Sequence, residues 1–324
     1  MARDWGCVST VRRALHAVIA EPCERVPSPP LREAQAPDAD ADTEVTVLAV
    51  DLLLVSILAG IFGALLGLGG GILLIPILQL FFHIPLHTAM GASLISVIAT
   101  SSGAAVAYVR DHISSIRVGM FLEIATTTGA VTGAFIAAHV STMLLDIIFG
   151  LVLLFSSYSM LQRHSAELPE NVQEHPWAKK LRLNGSYYDA TLGRDVDYTV
   201  AGIPGGLGMM YVAGLLSGLL GIGSGTFKVL GMDIFMKLPF KVSSSTSNFM
   251  IGVTAAASAG FYFSKGWIDP RISGPVAIGV LIGALLGARL MVRLRSRTLR
   301  MVFIPVLVAA ALEMLLTGLG VHGL

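Results

Sequence analysis

Long apolar segments separated by short polar connections dominate the hydrophobic pattern of this chain. Each half contains five segments, and one of the five is about half the length of the others. A run of about 20 apolar residues matches the ~30 Å hydrocarbon core of a bilayer. The pattern therefore predicts an all-α, multi-pass membrane protein with four or five crossings in each half. The segments cover 45–68, 72–82, 86–109, 117–140 and 142–161, then 206–220, 226–236, 242–263, 272–294 and 299–319.

The second half of the chain repeats the first. A shift of 154 residues (225 minus 71) places Gly71 on Gly225 and keeps the register without a gap. Shared Gly, Pro, Tyr and Arg at one offset indicate a duplication. An odd number of crossings would make the two halves an inverted repeat, as in many secondary transporters. Further matched pairs are Gly60 and Gly214, Gly67 and Gly221, Gly69 and Gly223, Pro85 and Pro239, Ser93 and Ser247, Tyr108 and Tyr262, Arg117 and Arg271, Gly129 and Gly283, and Gly133 and Gly287.

The pattern divides the chain into four parts. Residues 1–44 are rich in Pro, Ala and acidic side chains and are predicted to be a disordered N-terminal tail. Residues 45–162 form the first transmembrane repeat and 200–320 the second. The interval 163–199 is too polar for lipid and links them, either as a mobile linker or with a small hairpin around Gly193.

Composition narrows the class of partner. Hydrophobic residues make up 54% of the chain and charged residues 13%, with a net charge of +1. Nucleic acid is excluded because its binding needs a basic face. We expect a small solute and the lipid bilayer as partners, no cofactor, and leave the oligomeric state open. If each half-length segment crosses the membrane, most of the basic residues lie on one side. That side would be cytoplasmic, because cytoplasmic loops are enriched in Lys and Arg.

Two glycine-rich segments are the candidate site. Each precedes a half-length segment, "GLGGG" in the first half and "GIGSG" in the second. Non-helical backbone at membrane depth is tolerated where it lines a cavity, and glycine lets a solute approach the main chain. The start of the following helix favours an anion. The predicted substrate-binding residues here are Gly67, Gly69, Gly70, Gly71, Gly221, Gly223, Ser224 and Gly225.

Lys228 is the predicted source of positive charge at this site. A lysine facing lipid at the centre of the bilayer costs about 2.5 kcal/mol or more, so the side chain is expected to point inward. The alternatives are an ion pair with Asp233 or extension to the membrane surface. Leu74 occupies the equivalent place in the first half, so the site is asymmetric. Polar contacts to the anion are predicted from Ser93, Thr246, Ser247 and Asn248.

Five acidic residues lie in or near the apolar segments. Any of them is able to relay a proton, and the sequence does not rank them. They are Asp51, Glu123, Asp146, Asp233 and Glu313.

These motifs resemble the TauE/SafE sulfite-exporter-like permeases. The likeness covers residues 45–320 and depends on "GALLGLGGGILLIPIL", "GLLSGLLGIGSGTFKV", "LPFKVSSSTSNFMIGVTAAASAG" and "GSYYDATLGRDVDYTV". The resemblance implies a transporter of the prokaryotic cell membrane that moves sulfite, thiosulfate or organosulfonates, and not an enzyme. Two positions depart from the family pattern: Ser224 replaces a glycine, and Leu230 stands where a proline is expected, as at Pro76.

Other classes of function stay open from the sequence. The 163–199 interval suits a membrane-embedded docking protein or a membrane enzyme, although enzyme chemistry usually needs clustered His, Cys, Asp or Glu in the apolar segments. A cation transporter requires Asp233 to dominate Lys228 in the cavity.

Overall fold

The computed structural model describes residues 39–66, 70–110, 114–162, 175–189, 194–291 and 296–320. The chain divides into two compact units, 1–46 and 47–324. The predicted disordered tail lies outside the described residues up to residue 38, and helix α1 begins at Ala39.

Helices form where the hydrophobic pattern predicts them, since a segment that cannot hydrogen-bond to water must satisfy its backbone internally. The second half-length segment splits into a six-residue helix and a π-helical turn, Gly231–Phe235. The helices are α1 Ala39–Leu66, α2 Gly71–Phe82, α3 Leu86–Arg110, α4 Ile116–Ala137, α5 Thr142–Gln162, α6 Pro176–Lys180, α7 Ile203–Leu220, α8 Gly225–Leu230, α9 Phe240–Ser264, α10 Pro270–Met291 and α11 Ser296–Gly318.

The polar interval between the halves contains the hairpin that the sequence left open. Strands β1 (Gly185–Asp189) and β2 (Arg194–Tyr198) pair antiparallel, with Tyr187 opposite Val196. Both of these side chains are buried and pack against Val242 at the start of α9. The hairpin is therefore docked on the helical body by its apolar face.

Glycines bring two pairs of helices into close contact. A Cβ at Gly129 of α4 would overlap the carbonyl oxygen of Tyr211 in α7, and a Cβ at Gly214 of α7 would overlap that of Thr126. Helices α1 and α10 make the same contacts 154 residues away, where a Cβ at Gly283 would overlap the Ile57 carbonyl and one at Gly60 the Val280 carbonyl. These four overlaps are all with backbone. Small residues serve close packing in both pairs.

The long helices α3 and α9 lie against each other and against their neighbours. Helix α3 contacts α2, α9 and α10, and α9 contacts α3, α4 and α8.

Four helices in the described part of the chain are long and apolar enough to cross a membrane. These spans are Ile116–Ala137, Thr142–Ser159, Ile203–Leu220 and Pro270–Gly287. The all-α, multi-pass membrane fold predicted from the sequence agrees with this architecture.

Candidate functional site

Backbone geometry separates α7 from α8. Helix α7 ends at Leu220, Gly221 has a φ of +67°, Ser224 has a φ of +44°, and α8 begins at Gly225. Gly221 tolerates a left-handed backbone without cost, whereas serine does so with strain. The residues of this segment, 221–225, are all buried.

Three serine side chains hold this segment in place. Ser93 of α3 donates a hydrogen bond to the Gly221 carbonyl oxygen at 2.8 Å, and Ser247 of α9 donates to the Gly225 carbonyl oxygen at 3.2 Å. Ser224 donates to the Ala213 carbonyl oxygen of α7 at 2.6 Å. A buried carbonyl group outside a helix, such as that of Gly221, needs such a partner. The matched pair Ser93 and Ser247 thus supports the second glycine segment from both halves.

The first glycine segment is described only at its end. Gly67 and Gly69 lie outside the described residues, while Gly70 caps α2 and has a φ of −55°. A Cβ at Gly71 would come within 2.7 Å of Val97 in α3, and a Cβ at Gly223 within 3.0 Å of the same side chain. Gly71 and Gly223, one residue from each glycine segment, therefore both lie against Val97 of α3.

Lys228 points inward, as predicted, and is fully buried. Its Nζ donates to the Thr254 hydroxyl of α9 at 2.5 Å, and that hydroxyl lies 2.7 Å from Glu123 Oε1 of α4 and 2.8 Å from the Met250 carbonyl oxygen. Because Thr254 accepts from the ammonium group, its own hydrogen is available to the carboxylate. Glu123 is 6% exposed, and its charge acts on Lys228. The three side chains form one buried charged network.

This network settles the alternatives for Lys228. The lysine does not reach the membrane surface, and its hydrogen-bond partner among the described residues is Thr254 rather than Asp233. Glu123 was one of five unranked acids in the sequence, and Thr254 was not singled out. The sequence did contain a signal for Thr254 as a partner of Lys228. Thr254 has a matching threonine, Thr100, at the 154-residue offset, whereas Lys228 has no charged counterpart.

Two predicted site residues lie in other contacts. Thr246 is buried and its hydroxyl accepts a hydrogen bond from the backbone N–H of Ser115, at 3.1 Å, just before α4. The backbone carbonyl of Asn248, also a buried residue, accepts from Ser101 at 2.6 Å. The polar run at the start of α9 therefore splits, and Ser247 is the member that contacts the glycine segment.

Ser224 combines a strained backbone with a useful side chain, which gives a stability prediction. Ser224→Ala keeps the left-handed strain and loses the bond to Ala213, at a cost of about 1 kcal/mol or more. Ser224→Gly loses the same bond and relieves about 1–2 kcal/mol of strain, so it is expected to stay close to the parent.

Thermal unfolding of the purified protein in detergent measures this difference. Ser264→Ala removes an exposed serine that bonds to the Phe261 carbonyl in the same manner, and it is expected to leave the midpoint unchanged. A glycine variant that is less stable than the alanine variant would contradict the strain argument.

The multi-pass helical fold and the family match together define a class of protein: a membrane transporter. A family model described as "Sulfite exporter TauE/SafE" matches residues 52–314. The chain belongs to this family, and the resemblance seen in the glycine motifs is confirmed.

Curated bacterial relatives carry names of the same class. The chain is 26% identical over 277 residues to "Probable membrane transporter protein YunE" of Bacillus subtilis (strain 168), covering 83% of this chain and 98% of the relative. It is 27% identical over 230 residues to "Probable membrane transporter protein YdhB" of the same organism, covering 71% of this chain and 85% of the relative. No solved structure matches the chain.

Proposed function

We propose that this protein is a secondary transporter of small anions, with sulfite or organosulfur anions as substrates, in a prokaryotic cell membrane. Its substrate site is formed by the two glycine-rich segments, with Lys228 supplying positive charge. The observation that carries the proposal is the fully buried lysine in the short helix α8, which follows the non-helical segment 221–224. A buried cation is costly unless a charge of opposite sign lies close by. Glu123 supplies that charge through Thr254 in this structure, and a bound anion would supply it at the same lysine.

The proposal includes two halves related as an inverted repeat. It is supported by the matched helix contacts, in which Gly129 meets Tyr211 as Gly283 meets Ile57. Each contact joins a helix of one half to a helix of the other. Transporters of this kind place their site where interrupted helices of both repeats meet, and Val97 lies beside Gly71 and Gly223.

Burial of the site fits an occluded conformation in this proposal. Residues 221–225 and Lys228 are buried, so a solute reaches them only after the surrounding helices move. Rocking of one repeat against the other around a fixed site is the usual form of alternating access. The serines Ser93 and Ser247 would then exchange hydrogen bonds between the backbone and the anion.

Flux into proteoliposomes tests the proposed function. We expect saturable uptake of at least one of sulfite, thiosulfate, sulfate and methanesulfonate, and competition by the unlabelled anion. Protein-free liposomes and liposomes with heat-denatured protein set the background, and a potassium and rubidium panel tests the cation alternative. Transport of a cation with no flux of any of the four anions would overturn the proposal.

A further inference from the structure

Glu123 is a buried carboxylate with spare hydrogen-bonding capacity. Its Oε1 accepts from Thr254 at 2.7 Å and from Thr127 at 3.3 Å. Its Oε2 is buried and has no hydrogen-bond partner among the described residues. A buried carboxylate with one unpartnered oxygen is a poor permanent charge, because an unsatisfied ionised group is costly in a low-dielectric interior. The same oxygen is a suitable place for a proton.

The charges of Glu123 and Lys228 offset each other through the Thr254 hydroxyl. A proton on Glu123 removes the negative charge and leaves the buried ammonium group without compensation. An anion beside Lys228 then restores neutrality, whereas an anion beside the intact pair meets a carboxylate nearby. Proton binding and anion binding therefore favour each other, and by linkage the effect is equal in both directions.

Other titratable groups lie on the elements around this network. On the helices packed against α4, the Tyr211 hydroxyl pairs with Thr132 and the Tyr262 hydroxyl donates to the Gly218 carbonyl. Lys241 is exposed at the start of α9, and Asp233 lies on the π-helical turn after α8. Among the described residues, Lys228 is the charged group in hydrogen-bond contact with the Thr254 bridge to Glu123.

The network exists at one of two matched places. At the 154-residue offset, Lys228, Thr254 and Glu123 correspond to Leu74, Thr100 and Ala277. Thr100 bonds to the carbonyl oxygens of Ser96 and Val97 within its own helix, and Leu74 is fully buried. One of the two matched places thus contains a lysine and an acid, Lys228 and Glu123, and the other contains neither, which fits one proton for each transport cycle.

We propose that Glu123 binds the proton that couples anion transport to a proton gradient, with Thr254 as the positioning residue that links it to Lys228. The proposal rests on the proposed anion transport and adds the driving ion. Glu123 is protonated when the site holds an anion. When the site is empty, Glu123 is deprotonated and pairs with Lys228. The protein is accordingly a proton–anion symporter.

Accumulation driven by a pH gradient tests this coupling in proteoliposomes, with the membrane potential clamped at zero by valinomycin and equal potassium. For one proton per anion, a gradient of about one pH unit drives about tenfold accumulation of the labelled anion in the parent. Glu123→Gln is expected to lose this accumulation but to retain exchange of labelled for unlabelled anion. Any proton carried by the anion itself contributes equally to both proteins, so the difference between them isolates Glu123.

Matched variants separate coupling from folding. Glu313→Gln removes an exposed acid and is expected to accumulate anion like the parent. Glu123→Asp keeps a carboxylate and retains accumulation, which preserves the test if the glutamine variant does not fold. Thr254→Val is expected to reduce gradient-driven accumulation, while Thr100→Val at the matched place does not.

The outcomes distinguish the two proposals. Parent protein that moves none of the four anions overturns both. Parent flux that is insensitive to the pH gradient, or full gradient-driven accumulation in Glu123→Gln, overturns the coupling role and leaves anion transport standing. A second readout in the parent is proton uptake evoked by the anion and measured with a trapped pH dye, and its absence also contradicts the symport proposal.

Discussion

Lys228→Met is expected to weaken anion transport severely while keeping a side chain of similar length in the same buried place. Loss of a buried charged partner weakens binding by about 2 kcal/mol or more, which corresponds to about 30-fold in anion affinity. Lys228→Arg retains the charge but adds a larger planar group to a fully enclosed position, so it is expected to keep part of the flux. Uptake in proteoliposomes at matched protein content measures both variants.

The effect on folding must be separated from the effect on transport. Lys228→Met leaves the Glu123 carboxylate buried without its counter-charge, which costs about 3 kcal/mol or more of stability. Addition of Glu123→Gln removes that charge and is expected to restore much of the thermal midpoint but none of the transport. Lys265→Met changes an exposed lysine above the Phe261 ring and serves as the control. If Lys228→Met moves every anion at the parent rate, the role given to this lysine is wrong.

Alanine at the paired glycines Gly129 and Gly283 destabilises the protein by similar amounts. Each added methyl group overlaps a backbone carbonyl oxygen of the opposing helix, Tyr211 in one pair and Ile57 in the other. Backbone moves less readily than a side chain, so each substitution is expected to cost about 1–3 kcal/mol. Since the helix pairs are separate, the double variant loses about the sum.

Two glycines on the same set of helices provide controls. A Cβ at Gly208 of α7 or at Gly274 of α10 meets nothing within 4 Å. Gly208→Ala and Gly274→Ala are therefore expected to leave thermal stability unchanged or to raise it slightly, because alanine favours helix. A midpoint for Gly129→Ala or Gly283→Ala equal to that of these controls would contradict the close packing of the two helix pairs.

The sequence by itself determined the membrane class and the helix positions. Apolar segments predicted at 86–109 and 242–263 appear as α3 and α9 with ends within two residues, because lipid-exposed backbone has little alternative to a helix. The inward direction of Lys228 also followed from the cost of placing its charge in lipid. The alternating pattern around Gly193 was too short to decide between a hairpin and a linker. The structure shows the hairpin and its contact with Val242.

Only the tertiary structure decided which charges meet. Asp233 is close to Lys228 along the chain, but the network joins Lys228 to Thr254 and Glu123, and Glu123 lies 131 residues from Thr254. Similarly, the polar residues from Thr246 to Asn248 appeared to be one cluster, yet Thr246 contacts Ser115 and Ser247 contacts Gly225. The length of an apolar segment is enough to predict a helix, because the backbone hydrogen bonds of a helix are local. The partner of a buried side chain depends on how α4, α8 and α9 pack, and that packing is set by contacts between distant parts of the chain.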